Sequence, residues 1–145
     1  MIEVIIADAH LIIHAGLHSM LDEVADIEIV GEATTGNSAI DMVRKLNPDV
    51  VILELSIPDI NGFITTSRIL ESNPDVKVLV LSMHTDRWNV ERALRTGASG
   101  YLLKNCTPVE LSLAIHTVFE GGTYLSSEIV NFAGHHRGSD PTQKT

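Results

Sequence analysis

Five short runs of aliphatic, largely β-branched residues recur along this chain, and each is followed by a longer stretch with helical spacing. The runs are Ile2–Ala7, Ile27–Gly31, Val50–Leu55, Lys77–Ser82 and Ser99–Leu103. Within three of them, Val-Ile-Ile-Ala, Val-Val-Ile-Leu and Val-Leu-Val-Leu are apolar at every position, so both faces of the strand must be covered. Between the runs, Leu17, Met20, Leu21 and Val24 fall at helical spacing, as do Ile40, Val43 and Leu46. The same holds for Ile64, Ile69 and Leu70, for Val90, Ala93 and Leu94, and for Leu111, Ala114, Ile115 and Val118. Alternation of this kind demands parallel strands joined by right-handed crossovers, with helices on both faces of an α/β sheet.

Turn chemistry sets the phase. Asn47-Pro48-Asp49 and Asn73-Pro74-Asp75 each end a helix, because the residue before proline is pushed out of the helical region. Thr107-Pro108-Val109-Glu110 opens the last helix with a cap, a proline at the first helical position and a capping-box glutamate. Gly121-Gly122 closes it. The 145 residues suit one domain, expected over 1–125, with 126–145 as a linker or tail. No apolar run is long enough to span a bilayer and no signal peptide is visible, so a cytoplasmic location without membrane contact is expected. A net charge of -9 repels phosphate backbones and disfavours direct nucleic-acid binding by this segment. The single cysteine, Cys106, excludes a disulfide framework and reads as a structural thiol.

Ligands in doubly wound sheets bind beyond the carboxyl ends of the strands. Those ends carry Asp8, Glu54, Ser82 and, just past the fifth run, Lys104. Two carboxylates, a hydroxyl and an ammonium therefore converge on one rim. No Gly-x-Gly-x-x-Gly or Walker loop follows the first strand, which disfavours a nucleotide-binding enzyme; no enzymatic activity is expected.

Ala-Asp-Ala-His at 7–10, Pro-Asp-Val-Val-Ile-Leu-Glu-Leu at 48–55, Pro58, Gly62, Leu-Ser-Met-His at 81–84 and Gly-Ala-Ser-Gly-Tyr-Leu-Leu-Lys at 97–104 occur in order. With these the chain resembles the receiver domain of bacterial two-component response regulators, most closely the type joined to a LuxR-like (NarL-type) helix-turn-helix. The resemblance implies a flavodoxin-like, doubly wound five-stranded parallel sheet of order 2-1-3-4-5. It also implies a DNA-binding output domain, absent from this chain, as well as homodimerisation and a histidine kinase or other regulator as partner. Family members accept a phosphoryl group on an aspartate at the third strand end. They hold magnesium with that aspartate, an acidic pair after the first strand and a backbone carbonyl. The matching positions are Glu54 for the acceptor, Asp8 and Ala9 for the pair, and Ser56 for the carbonyl. Ser82 matches the hydroxyl that follows the phosphoryl group, Tyr101 the switching aromatic and Lys104 its lysine.

Two positions depart from that pattern: Glu54 stands for the acceptor aspartate and Ala9 for a metal-binding acid. Magnesium demands near-octahedral oxygen ligands, so loss of one carboxylate and lengthening of another imply weak or lost binding and no resident cofactor. Asp8, Glu54 and Lys104 sum to -1, where the complete family site carries -2 and needs a cation. Two like charges about 4 Å apart repel by roughly 4 kcal/mol at an effective dielectric of 20, so the missing acid is a relief. Glu54 is long enough to pair with Lys104 and accept from Ser82, imitating a phosphoryl group in part. If it does, Tyr101 should be buried. The competing readings are an inert, decayed site and a working phosphoacceptor controlling a DNA-binding output domain.

His10, His14 and His18 recur every fourth residue, but without an acidic partner at a matching offset they read as a solvated or partner-facing helix side. His135-His136 is equally bland. Trp88, Arg92 and Tyr101 lie on the face that the resemblance assigns to signalling output, where Trp88 either anchors an interface or packs on its own helix.

Overall fold

The computed structural model describes residues 1–129. Six strands, β1 (Ile2–Ala7), β2 (Ile27–Ala33), β3 (Val50–Leu53), β4 (Lys77–Ser82), β5 (Gly100–Leu103) and β6 (Tyr124–Leu125), form one sheet of order β2-β1-β3-β4-β5-β6. Every pairing is parallel. Helices α1 (Leu11–Leu21), α2 (Gly36–Leu46), α3 (Gly62–Ser72), α4 (Arg87–Thr96) and α5 (Pro108–Phe119) provide the crossovers. The expected 2-1-3-4-5 order is present, and a sixth strand extends it at the β5 edge. Two residues are too few to show alternation, which is why β6 leaves no periodic signal.

The period of two in the strands divides the core between the faces. Val4, Ile6, Val50, Ile52, Leu79 and Leu102 pack with Leu17 and Leu21 of α1 and with Leu111, Ile115 and Val118 of α5. On the other face Ile5, Val51 and Val78 meet Ala39, Ile40 and Val43 of α2 and Ile69 of α3. Farther along that face, Val80, Tyr101 and Leu103 meet Phe63 of α3 and Val90 and Ala93 of α4.

Helix starts follow their caps. Thr35, Asn61, Asp86 and Thr107 each accept from the backbone N–H three residues on. Asn47 closes α2 in the left-handed region with φ 45°, which asparagine tolerates. The capping box at α5 is only half made: the Glu110 carboxylate instead accepts from the Tyr124 hydroxyl at 2.9 Å, tying α5 to β6. Residues just past 125 also pack against the sheet. Ser126 and Ile129 are 3% and 1% exposed, because the chain after β6 folds back onto β5. The remaining tail, including His135-His136, lies outside the described residues.

Gly62, at the start of α3, lets the loop after β3 close. A Cβ there would stand 2.5 Å from Leu55 Cα and 3.0 Å from the Glu54 carbonyl oxygen, backbone atoms that cannot swing aside. Gly62→Ala should therefore destabilise the fold by about 2 kcal/mol, as for other overpacked positions, with a lower urea midpoint and an unchanged slope.

Candidate functional site

Sheet hydrogen bonding places the rim residues. The Glu54 N–H donates to the Ala7 carbonyl, and the Lys104 N–H to the Ser82 carbonyl, both at 3.0 Å. The strand ends are thereby clamped in register, and their side chains project into one pocket. Asp8, Glu54 and Ser82 are 2%, 6% and 0% exposed.

Lys104 bridges the two acids. Its Nζ lies 2.6 Å from Glu54 Oε1 and 2.9 Å from Asp8 Oδ2. The contact with Asp8 is ionic rather than a well-aligned hydrogen bond, for Oδ2 has no aligned donor. The second oxygen of each acid is also engaged: Glu54 Oε2 accepts from the Ser56 N–H at 3.0 Å, and Asp8 Oδ1 accepts from the His10 N–H at 2.8 Å. His10 Nδ1 adds a 2.9 Å contact to the same Asp8 oxygen. Burial by itself would push the Asp8 carboxyl up, but the His10 N–H and the Lys104 ammonium outweigh it and hold Asp8 below its ordinary range. Burial likewise opposes the Lys104 charge, and the two carboxylates overcome it, holding Lys104 above its usual value. Asp8 and Lys104 are thus both charged at neutral pH.

The expected pairing of Glu54 with Lys104 is present; the expected acceptance from Ser82 is not. The Glu54 oxygens contact the Lys104 ammonium and the Ser56 N–H, and no hydrogen bond joins them to Ser82. Ser82 instead accepts from the His84 N–H at 3.1 Å and shares a hydroxyl contact with Tyr101. Tyr101 is fully buried, as expected, yet through a different link: its hydroxyl donates to the His84 carbonyl at 2.8 Å. Burial pushes the Tyr101 phenol up, so it remains a donor. Ala9 and Ser56 are exposed beside the pocket.

Of the histidine run, His10 is exposed and His18 partly so, as expected, and His14 is not. His14 is 2% exposed, with Nε2 2.7 Å from the Asp8 backbone carbonyl and Nδ1 3.0 Å from Glu32. His18 Nε2 lies 2.7 Å from the other oxygen of Glu32. The acidic partner comes from β2, far along the chain, so spacing could not reveal it. His84 was likewise hidden, because its role uses only backbone atoms. Cys106 is buried and its thiol is pushed up to about 11 by burial, consistent with an inert structural residue. Trp88 stays 58% exposed although it meets Phe63 edge-on at 6.0 Å, with the Arg92 guanidinium over both rings. Trp88 thus packs with Arg92 of its own helix and Phe63 of α3 while more than half of it stays exposed. Among the described residues no helix is long and apolar enough to cross a membrane.

A parallel sheet with acids and a lysine gathered at its carboxyl ends defines a class of signalling α/β domains. Residues 4–116 match the family model described as the response regulator receiver domain, and the chain belongs to that family. It is 39% identical over 143 residues to the oxygen regulatory protein NreC of Staphylococcus haemolyticus, covering 95% of this chain and 66% of that protein. A LuxR-family two-component response regulator from Aurantimonas sp. SI85-9A1 superposes with TM-score 0.89 at 26% identity, over 94% of this chain and 97% of that one. The isolated receiver domain of RcsB from Salmonella enterica serovar Typhimurium, solved with phosphomimetic BeF3-, gives TM-score 0.83 at 26% identity, over 90% and 96%. RcsB dimers bound to DNA give 0.84 at 25% identity, over 92% and 68%. The chain spans 55–66% of the length of the curated relatives it matches.

The sign of the charge balance makes the site testable. Asp8 is held low, so its share of stability is present above its ordinary range near pH 4 and is lost as pH falls through its lowered value. Lys104 is held high, so its share is present below about pH 10.4 and is lost as pH rises through its raised value. Lys104→Met leaves two buried acids facing each other. It should cost about 3–5 kcal/mol at pH 7, with part of the loss recovered near pH 4.5 as a carboxyl takes up a proton, in paired urea titrations.

Proposed function

We propose that this chain is an atypical receiver, a signalling module that regulates transcription through an output domain without depending on phosphorylation. The observation that carries this reading is the Lys104 ammonium seated 2.6 Å from Glu54 and 2.9 Å from Asp8. It stands between the carboxylates where family members place magnesium, and Ala9 offers no replacement oxygen. With Ala9 in place of an acid and both carboxylates already paired to Lys104, this donor set is a poor one for magnesium, which needs several well-placed oxygens. Phosphoryl transfer works mainly by positioning and charge neutralisation, which a site so closed upon itself does not provide. The built-in carboxylate keeps Lys104 engaged, as a phosphoryl group would, while Ser82 answers to Tyr101 and His84 instead. The mimicry is therefore confined to the lysine half of the site. DNA would be reached only through an output domain outside this chain, and a histidine kinase or another regulator would act on the module by contact.

Incubation with a small phosphodonor and magnesium, followed by intact mass measurement, checks this. The natural chain should stay unmodified, whereas the double variant Ala9→Asp with Glu54→Asp should bind magnesium and acquire a phosphoryl adduct. An adduct on the natural chain would establish the alternative, a working phosphoacceptor.

Homodimerisation is the assembly this reading favours, since RcsB, a relative by fold and sequence, forms dimers on DNA. The α1–α5 face suits it: a groove of about 420 Å³ is lined by Met20, Val24, Pro108 and Val109. Val109 in its wall is 78% exposed, and Ile12 of α1 is 79% exposed. Val109→Glu should convert a dimer to a monomer in sedimentation experiments, with the helical circular dichroism unchanged.

A further inference from the structure

The chain beyond α5 does not simply leave the domain. It turns at Gly121 (φ 93°), adds β6 to the edge of β5, and crosses from the α5 layer to the α4 layer. Two hydrogen bonds then fasten it to β5: the Ser126 N–H donates to the Tyr101 carbonyl at 3.1 Å, and the Leu103 N–H donates to Ser126 Oγ at 3.0 Å. Ile129, 1% exposed, belongs to the same apolar cluster as Val80, Val90, Tyr101 and Leu103. Beside it Glu128 reaches the rim, lining a recess of about 130 Å³ with Ser82, Lys104 and Asn105.

Tyr101 is thus held from two sides. Its backbone carbonyl and ring belong to the seat of the C-terminal segment, while its hydroxyl is anchored on the His84 carbonyl. His84 in turn donates its N–H to Ser82 on the rim. From Ser82 through His84 and Tyr101 to Ser126 and Ile129, every step is a hydrogen bond or a packed side chain. We propose that Tyr124–Ile129 is a strap that reads the rim: it seats while His84 holds Tyr101 inward and loosens when that hold is lost. This rests on the regulatory reading of the site but not on whether Glu54 accepts phosphate, and its test involves no phosphodonor.

Backbone hydrogen exchange on the full 145-residue chain measures both ends of the relay. Tyr101→Phe removes the hydroxyl and keeps the ring. It should accelerate exchange of the Leu103 and Ser126 amides about fivefold, the equivalent of one ordinary hydrogen bond, with the Val4 and Val51 amides unchanged. Coupling is reciprocal, so Ile129→Ala or the milder Ser126→Ala should accelerate the His84 amide as well. Strap amides indifferent to Tyr101→Phe would overturn the proposal. So would a His84 amide indifferent to both strap variants, or an equal acceleration across β1 and β3, which would signal a merely structural contact.

Discussion

The rim is organised by one ammonium group between two carboxylates. Because Lys104 is reached from β5, Asp8 from β1 and Glu54 from β3, the contact can exist only when the three strand ends are brought to one level. A buried pair of acids without a counter-ion is unstable, and a single lysine cannot leave them without exposing that repulsion. The carboxylate oxygens not touching Lys104 are satisfied by backbone N–H groups at Ser56 and His10, which fix the two loops that begin at those strand ends. Charge, loop geometry and sheet register are therefore mutually dependent here.

Lys104 and Ser82 take different partners in this arrangement. On the lysine side, Lys104 pairs with Glu54 and Asp8. The hydroxyl half, Ser82, is turned toward His84 and Tyr101. Glu54 touches Lys104 and accepts from the Ser56 N–H but makes no hydrogen bond with Ser82, so of the contacts expected of it only the one on the lysine side is made. Conformational information at the rim is instead concentrated in Tyr101, whose ring and backbone join it to the end of the described chain.

Most of the architecture was legible before any coordinates. The all-apolar runs at 4–7, 50–53 and 78–81 demand cover on both faces, and the proline and asparagine turns set where each helix ends. The rim residues were legible too, since strand ends in such sheets are where polar groups meet. What escaped were contacts between positions remote in sequence or made by backbone atoms: Glu32 with His14 and His18, and His84 with Ser82 and Tyr101. The packing of the residues just after 125 escaped for a related reason. A two-residue strand and one buried isoleucine carry too little pattern to stand out from a polar tail.

Composition and periodicity alone determined that this chain forms a layered parallel sheet, and that Asp8, Glu54, Ser82 and Lys104 share a rim, because hydrophobic burial follows directly from the order of residues. Which partner each rim group takes was decided only in three dimensions. A carboxylate has two oxygens and several donors within reach, and the choice among them depends on loop paths and side-chain angles that local sequence does not encode. The same holds for Ile129, whose burial depends on a surface assembled from β4, β5 and α4.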